Sequence, residues 1–458
     1  MEEYPVIIIG AGIGGLTTAA YLSKIGIPSA LIEKTSFAGG RCSTRVISGS
    51  PYEIGALYLG GGVFDRLRTI FNVKVPSLKI RCGVKINGRL VSFPVGLKTA
   101  LELTACHVSL PEMLGMRYRS RLLSKPTTFE TYKSVGEVFD FLTENAVLRK
   151  FLHSTAGLSG VRPYRLPANY LYSKSPLARY RSQNPEYVIG GNGEIPRLLL
   201  QIALKGSHIF YDTEVKKITV KDGHADAVET TRGMLKGNLV VSNAGLRKTI
   251  LGLVENECFP FDYRNRVKGL GETLRVVNIF LTFSHAFKFP KGFSVFLMPY
   301  DVDQEFLTLD SGAFPLNSMY VLQVPSNVEP ASRQDHRATL QFYYPRGDVA
   351  PGSLDNQVKH ILQEGLEDLF KGLSGAVTGY VVYDPTRYEK EFGFAPYVFG
   401  VSPDLQYARF PVETPIDNLF CVGDSVEPDG PCVPQAMESG LECARMIARR
   451  LGVKTPGI

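Results

Sequence analysis

Tryptophan is absent from this chain of 458 residues, and its seven cysteines include no Cys-x-x-Cys pair. Cysteines scattered in this way fit neither a disulfide framework nor a zinc site, so we predict a reducing compartment and no metal. Repeats at solenoid periods and long unbroken apolar runs are also missing, which argues against a solenoid and against a membrane-spanning helix. The first residues, MEEYP, are acidic where an export signal would be basic. We therefore expect a folded, cytoplasmic protein.

Composition and charge limit the partners that the chain can have. Hydrophobic residues make up 44% and charged residues 21%, as in ordinary globular domains. A chain of 458 residues exceeds one ordinary core, so we expect two domains or one domain with a large insertion. The net charge of +7 suits an anionic cofactor or a membrane surface. Nucleic acid is not an expected partner, because the basic residues are spread along the chain and no recognition motif occurs.

The first forty residues have the pattern of a strand, a glycine-rich turn, a helix and a second strand. Val6–Ile9 is an apolar run typical of a strand buried on both faces. Leu16–Lys24 is predicted to be a helix that Gly26 closes, and Ile27–Glu33 a second strand. The glycine turn therefore lies between a buried strand and the start of a helix.

Three glycines and one acid in this segment indicate a dinucleotide site. Gly10 permits the tight bend, Gly12 lets a pyrophosphate approach the backbone, and Gly15 lets helix and strand pack closely. The unpaired N–H groups at the helix start would hold the phosphate. Glu33 follows at the end of the second strand, where its carboxylate can accept both hydroxyls of an adenosine ribose.

The turn Gly39-Gly40-Arg41 follows the acid and adds a guanidinium able to neutralise phosphate. With GxGxxG, an acid and then GGR, the sequence resembles the flavoprotein superfamily of phytoene-type carotenoid desaturases, flavin-containing amine oxidases and protoporphyrinogen oxidases. The resemblance implies FAD as the cofactor.

The far end of the chain carries a second strand, turn and helix. Leu419–Val422 is predicted to be a short buried strand and Gln435–Leu451 a helix, with Gly423 and Asp424 at the turn between them. In the superfamily such a segment returns to the nucleotide domain, which places Asp424 at the pyrophosphate or ribityl chain and the helix start, near Val433, at the flavin. A helix N-terminus there would stabilise the negative charge of a reduced flavin.

A third block lies between these two motifs. It has the superfamily's order of elements, which is a turn and helix, then a strand and hairpin, then a strand and turn. Val215 lies in this block at the position where the superfamily has a backbone contact to adenine. The cofactor-binding residues that the resemblance implies are Gly10, Gly12, Gly14, Gly15, Glu33, Lys34, Gly40, Arg41, Gly55, Val215, Gly423, Asp424 and Val433.

The resemblance also implies the fold class, α/β with a Rossmann-like FAD-binding domain assembled from discontinuous segments. We predict that residues 1–75, 187–250 and 385–458 form this domain. Residues 76–186 and 251–384 are predicted to form an inserted α+β substrate-binding domain.

Three functions stay open. The stretch from "FGVSPDLQYARF" to "NLF" and the "SVGEVFDFL" and "GLSGVRP" segments resemble the carotenoid desaturase and retinol-saturase branch. We therefore favour an FAD-dependent oxidoreductase that desaturates, saturates or isomerises an apolar, polyene or isoprenoid substrate by hydride transfer with the flavin. The "AMESG" segment resembles the amine-oxidase version, so an oxidase acting on the C–N bond of an amine or amino acid is the first alternative. A non-enzymatic prenyl-lipid escort protein that has lost flavin is the second.

The electron acceptor and the catalytic residues are not assigned. No second GxGxxG follows a strand, so a nicotinamide domain is not expected, and oxygen, a quinone or no acceptor at all stay open. The seven histidines form no recognisable pair, and we name no catalytic residue. Cys432 lies near the expected flavin, but we interpret it as a small buried apolar group and not as a covalent link.

One further segment, Leu110–Lys125, alternates large apolar residues with Arg117, Arg119 and Arg121. We interpret it as a solvated helix or a lid over the pocket. A peripheral contact with anionic lipid headgroups is the alternative.

Overall fold

A computed structural model describes residues 2–93, 96–123, 131–170, 185–329, 336–405, 409–428 and 432–454. The strands are β1 Glu2–Ile9, β2 Ser29–Ile32, β3 Thr44–Ile47, β4 Ser50–Glu53, β5 Ser77–Lys79, β6 Arg81–Ile86, β7 Arg89–Phe93, β8 Glu186–Val188, β9 Ser207–Phe210, β10 Val215–Lys221, β11 His224–Thr230, β12 Gly233–Ser242, β13 Arg275–Phe283, β14 Phe293–Met298, β15 Tyr320–Gln323, β16 His336–Tyr344, β17 Val377–Tyr383 and β18 Leu419–Cys421. The helices are α1 Ile13–Lys24, α2 Gly61–Phe71, α3 Leu97–Thr104, α4 Leu110–Leu122, α5 Val135–Leu142, α6 Ala146–Gly157, α7 Glu194–Ala203, α8 Leu246–Lys248, α9 Phe261–Gly269, α10 Val302–Asp310, α11 Ser353–His360, α12 Leu366–Leu369, α13 Pro385–Phe392 and α14 Cys432–Arg450.

The first sheet has the order β10-β11-β12-β1-β2-β9, with β18 beside the second half of β12. Its central pairs, β12 with β1, β1 with β2 and β2 with β9, are parallel. Helix α1 packs against β1 and β2, and helices α7 and α14 pack against α1. This is the Rossmann-like sheet that the sequence predicts, and its strands come from three separate stretches of the chain.

The second sheet has the order β17-β13-β16-β15-β14-β6-β7, and its pairs are antiparallel except that β14 runs parallel to β6. The hairpin of β6 and β7 turns at Asn87 and Gly88, whose φ angles of 46° and 72° fit the turn that an Asn-Gly pair favours. The strands of the two sheets lie within the predicted cofactor and substrate segments respectively. The domain boundaries themselves stay a prediction.

A short connection, Glu53–Leu57, joins the two halves of the molecule through side chains of the second sheet. Thr339 donates to the carbonyl of Glu53 (3.1 Å), and Gln341 donates to that of Gly55 (3.1 Å). The amide of Gln323 donates to the carbonyl of Leu57 at 2.6 Å. These buried hydrogen bonds hold the second sheet against the turn that follows β4.

Several predicted helix ends differ from the structure. Helix α1 begins at Ile13, before the predicted Leu16, because Gly14 and Gly15 already belong to its first turn. Helix α14 begins at Cys432, before the predicted Gln435. The helical stretch from Ser353 to Leu369 is interrupted by a π-helical turn at Ile361–Gly365. Such ends depend on local packing, which the hydrophobic pattern does not encode.

Candidate active site

A single cavity of 960 Å³ brings the predicted cofactor residues together. Twelve of the thirteen line it, and Gly15 is the exception. Gly15 lies behind the wall, where a Cβ would overlap the carbonyl oxygen of Gly10. Its role is therefore the close packing of α1 on β1. The cofactor contacts of the other twelve stay predictions.

The N-terminal turn presents open backbone to the cavity. Gly10 has a φ of 91°, and its N–H donates to the carbonyl of Ile32 at 2.7 Å. Helix α1 begins directly after it, with no side-chain cap and no acidic residue in its first turn. The N–H groups at its start can thus bind an anion from the cavity.

Glu33 is fixed at the cavity wall by the chain itself. One carboxylate oxygen accepts from the N–H of Ala11 (2.7 Å), and the other accepts from the N–H and hydroxyl of Thr35 (both 2.9 Å). A carboxylate has about four acceptor positions, so one is left for a ribose hydroxyl. Burial lowers the pKa of the neighbouring Lys34, which also lines the cavity.

The side chains of Arg41 and Asp424 are paired with each other. Both Asp424 oxygens accept from the same guanidinium nitrogen, at 2.9 and 2.7 Å, and the N–H of Gly400 donates to one of them at 3.2 Å. Arg41 also donates to the carbonyl of Tyr397 at 2.8 Å. The two predicted cofactor residues therefore form one partly buried ion pair across 383 residues of sequence.

Asn243 joins the two glycine turns, and the sequence reasoning did not single it out. With its amide oriented to satisfy both ends, its oxygen accepts from the N–H of Gly12 and its nitrogen donates to the carbonyl of Val422, each at 3.2 Å. Gly14 approaches Gly423 so closely that a Cβ at Gly14 would lie 2.8 Å from the nitrogen of Gly423. The sequence feature that could have pointed to Asn243 is the "SNAG" turn at the end of β12. By itself, this turn does not indicate a contact with either glycine turn.

Gly55 and Val215 complete the cofactor wall. A Cβ at Gly55 would overlap the carbonyl oxygen of Arg41, so this position admits only glycine without a shift of the backbone. Val215 begins β10, is buried, and lines the cavity as the predicted adenine contact requires.

Helix α14 begins at the cavity, with Cys432, Val433 and Pro434 in its wall. Burial raises the pKa of the Cys432 thiol to about 12, and the thiol donates to the carbonyl of Val398 at 3.6 Å. A neutral thiol fits the apolar interpretation of this residue better than a flavin link. Gln435 is not in the wall: it is buried, and its amide donates to the carbonyl of Val426 at 2.6 Å.

The other half of the cavity, which we call the chamber, is formed by α5, α6 and the second sheet. Its walls are aliphatic or aromatic, with a few neutral polar groups. The chamber is lined by Leu57, Tyr58, Leu59, Phe93, Phe139, Leu152, Thr155, Ala156, Leu158, Leu166, Tyr170, Val276, Met319, Tyr320, Val321, Gln341, Phe342 and Tyr343. Burial raises the pKa of the Tyr58 and Tyr343 hydroxyls, and that of Tyr343 donates to the carbonyl of Gly157 at 2.7 Å.

The described lining residues include five carboxylates, and none of them is among the chamber residues. Besides Glu33 and Asp424, Glu214 lies 3.9 Å from the Lys248 ammonium and Glu272 lies 3.8 Å from the Arg247 guanidinium. The fifth, Glu389, interacts electrostatically with Lys34. In the described part of the chamber wall there is thus no carboxylate to pair with a cationic substrate.

Comparison with known proteins decides the family. The model of the flavin containing amine oxidoreductase family matches residues 13–448. The chain belongs to this family. This flavoprotein is 23% identical to prolycopene isomerase 1, chloroplastic, of an Oncidium hybrid cultivar, over 99% of the chain and 85% of that protein. It is 24% identical to a phytoene desaturase of Phycomyces blakesleeanus, over 98% of the chain and 86% of that protein.

The solved structures agree on the fold. An oxidoreductase of Methanosarcina mazei superposes on the flavoprotein with a TM-score of 0.70 and 20% identity, covering 96% of this chain and 99% of that one. The α/β flavoprotein fold, FAD as the cofactor and the oxidoreductase class are thereby confirmed. The escort-protein alternative is therefore set aside.

The residues present fit FAD. The uncapped start of α1 offers N–H donors for a pyrophosphate, and Gly12 and Gly40 present backbone without side chains to the cavity. Four cationic side chains line the same half of the cavity, Lys34, Arg41, Arg247 and Lys248. Glu33 would bind the ribose and the start of α14 would face the flavin ring. When bound, FAD accepts or donates a hydride, while the protein supplies position and electrostatics.

Two features are absent from the described residues. No group of three or more histidine, cysteine or acidic side chains is placed to hold a metal ion there. Within the same described ranges, every helix is too short or too polar to cross a membrane.

Proposed function

We propose that this flavoprotein transfers hydride between FAD and an apolar polyene or isoprenoid substrate, with desaturation, saturation or isomerisation as the result. The observation that carries the proposal is the chamber, whose described wall is apolar and neutral and includes none of the five carboxylates that line the cavity. An apolar chain is stabilised there by about 25 cal/mol for each Å² that it removes from water. An ammonium group would lose its hydration there without a counter-ion.

The chain's own residues have limited tasks in such a reaction. Leu152, Phe342 and the other apolar residues of the chamber exclude water and orient the substrate. The hydroxyl of Tyr343 is engaged with the carbonyl of Gly157 at 2.7 Å, and burial raises its pKa, so it holds its proton. No acid or base of this chain is assigned a proton transfer, in keeping with chemistry that the cofactor performs.

Two relatives that are named after reactions of carotenoids support the same substrate class. The prolycopene isomerase and the phytoene desaturase both align along nearly the whole chain. An amine substrate is the alternative that the sequence left open, and no feature of the described chamber favours it.

The test is anaerobic incubation of the FAD-loaded protein with two panels, apolar polyenes in detergent micelles and amines or amino acids. We expect the polyenes to bleach the flavin absorption, or to be isomerised while the flavin is held reduced, with the product identified by chromatography. Bleaching by amines, followed by release of peroxide in air, would overturn the proposal and establish the amine oxidase.

A matched pair of variants connects this test to the chamber. Thr155 lines the chamber, and its hydroxyl donates only to the carbonyl of Leu152 within its own helix, at 2.8 Å. We expect Thr155→Asp to lower polyene turnover about tenfold or more, because a charge in the chamber disfavours an apolar ligand. Thr155→Val, of nearly the same shape, is expected to keep turnover within about twofold. Equal turnover in both variants would contradict the chamber assignment.

The same samples distinguish the electron acceptors. A reduced flavin that air reoxidises indicates oxygen, and one that needs an added quinone indicates a quinone. An isomerase would convert substrate with no net change in the oxidation state of the flavin.

A further inference from the structure

Helices α3 and α4 expose large apolar side chains on their outer sides. The exposed fractions are 91% for Leu97, 75% for Leu101, 63% for Leu110, 55% for Leu114 and 64% for Tyr118. We call these five residues the α3–α4 face. Exposed apolar residues that occur singly need no explanation, but five in two consecutive helices mark an interaction site.

Helical spacing collects these residues into stripes. Leu97 and Leu101 are four residues apart on α3, and Leu110, Leu114 and Tyr118 recur at the same interval on α4. Residues four apart lie on one side of a helix. The face is thus a continuous row along each helix.

The inner sides of both helices pack on one core cluster. Leu103 and Cys106, in and just after α3, and Met113 and Met116 of α4 belong to the cluster that also contains Leu152. Leu152 and its neighbour in this cluster, Leu158, line the chamber. Helices α3 and α4 therefore share a core cluster with residues of the chamber wall.

Charge on the two helices favours an anionic partner. Arg117 and Arg121 are exposed on the outer side of α4, close to Leu114 and Tyr118 in helical angle. The two carboxylates of these helices are engaged internally: Glu102 accepts from Ser92 and Glu112 accepts from Ser109. Arginine side chains can extend to headgroups while leucines enter the acyl region.

We propose that the α3–α4 face docks on an anionic lipid surface. This inference goes beyond the proposed function, because it is based on exposure and charge and does not depend on the identity of the substrate. A solvated helix would carry polar residues at these positions, and a lid would bury its leucines against the pocket. An apolar substrate that resides in lipid would then reach the chamber without crossing water.

The experiment is flotation of the FAD-loaded full chain with vesicles of phosphatidylcholine alone or with phosphatidylglycerol. We expect binding to the anionic vesicles, weaker binding to the neutral ones, and a decrease with added salt. The triple variant Leu110→Ser, Leu114→Ser, Tyr118→Ser should lower the partition coefficient about tenfold or more. Arg117→Glu with Arg121→Glu should abolish the preference for anionic vesicles.

The matched control replaces two residues of similar exposure elsewhere, Phe261→Ser and Leu316→Ser, which are 78% and 81% exposed. It should float like the parent protein. An equal loss in the control and the triple variant would overturn the proposal, as would parent protein that floats with neither vesicle. If the parent protein is a dimer that binds no vesicles, and the triple variant is a monomer, the face instead contacts a second copy of the chain and the lipid proposal is overturned.

Failure of this proposal is distinguishable from failure of the proposed function. Protein that converts polyenes in detergent but does not float refutes the docking face alone. Protein that floats but converts no polyene refutes the substrate assignment alone.

Discussion

Replacing Gly14 by alanine tests whether the two ends of the chain form one cofactor site. A Cβ at Gly14 would lie 2.8 Å from the nitrogen of Gly423, 3.0 Å from its Cα and 2.8 Å from an atom of the Asn243 side-chain amide. Ordinary contacts of these kinds begin near about 3.4 Å, so two turns must separate by about half an ångström. Since two of the atoms belong to backbone, no rotamer change relieves the overlap.

The expected cost follows from that overlap. Overpacking of a fixed interior site costs about 1–3 kcal/mol, which we expect as the loss in free energy of unfolding. The loss in FAD affinity should be larger than tenfold, because both glycine turns that line the cavity shift together. Fluorescence titration with FAD measures the affinity, and urea denaturation of the apoprotein measures the stability.

Gly26→Ala is the matched control. Gly26 ends α1 with a φ of 79°, and a Cβ there would meet no atom within 4 Å. Alanine in this left-handed conformation costs about 1 kcal/mol of stability but leaves the cavity intact. We therefore expect Gly26→Ala to bind FAD within about twofold of the parent protein. Parent-like FAD affinity in Gly14→Ala, or equal losses in both variants, would refute the assignment of the cavity to FAD.

Three more outcomes follow from buried groups. Arg41→Ala should lower the free energy of unfolding by about 2 kcal/mol, and removing Asp424 as well should cost less than the sum, in a double-mutant cycle by urea denaturation. Acid precipitation should release FAD both from the parent protein and from Cys432→Ala, because the neutral thiol forms no bond to the flavin. Flavin that stays with the precipitated parent protein but not with Cys432→Ala would contradict this interpretation. Burial raises the pKa of Glu305 to about 8 from 4.5, so the native state holds a proton that the unfolded state releases, and stability decreases as pH rises across that range. Glu305→Gln keeps an acceptor for the N–H of Met319 but has no proton to lose. Denaturation measured at several pH values should therefore show the free energy of unfolding of Glu305→Gln rising by about 2–4 kcal/mol relative to that of the parent protein between pH 5 and 8.

The parts of the site that local sequence encodes could be predicted. The glycine turn, the acid at the end of β2 and the turn after β18 each need particular residue types at fixed spacing, so the sequence alone predicts Gly10, Glu33 and Asp424 as site residues, and all three line the cavity. The apolar run Val6–Ile9 was predicted to be a buried strand and forms the second half of β1, because four consecutive apolar residues fit a strand that is covered on both faces.

The parts of the site that depend on contacts between distant residues could not be predicted from the sequence. Asn243 acts on turns that lie more than 170 residues away on either side, and an asparagine after a strand has no distinguishing spacing. The pairing of Arg41 with Asp424 was missed for the same reason: each was assigned to the cofactor separately. The chamber wall is drawn from both inserts and several elements, and any aliphatic or aromatic residue can serve in it, so no motif marks its members.

The apolar packing of the chamber and the hydrogen bonds at Glu53–Leu57 have different structural roles. The hydrogen bonds hold the second sheet, and with it the chamber, at a fixed position relative to the predicted cofactor residues. Apolar packing is non-directional and would let the second sheet slide over the first half of the molecule. The hydrogen bonds from Thr339, Gln341 and Gln323 to consecutive parts of Glu53–Leu57 are directional. Those from Thr339 and Gln323 are buried and that from Gln341 is partly buried, so a slip would leave several polar groups without partners. Gly55 lies within this connection and lines the cavity between Arg41 and the chamber. The position of the chamber relative to the predicted cofactor residues is therefore fixed by a few directional hydrogen bonds, and the apolar wall takes no part in them.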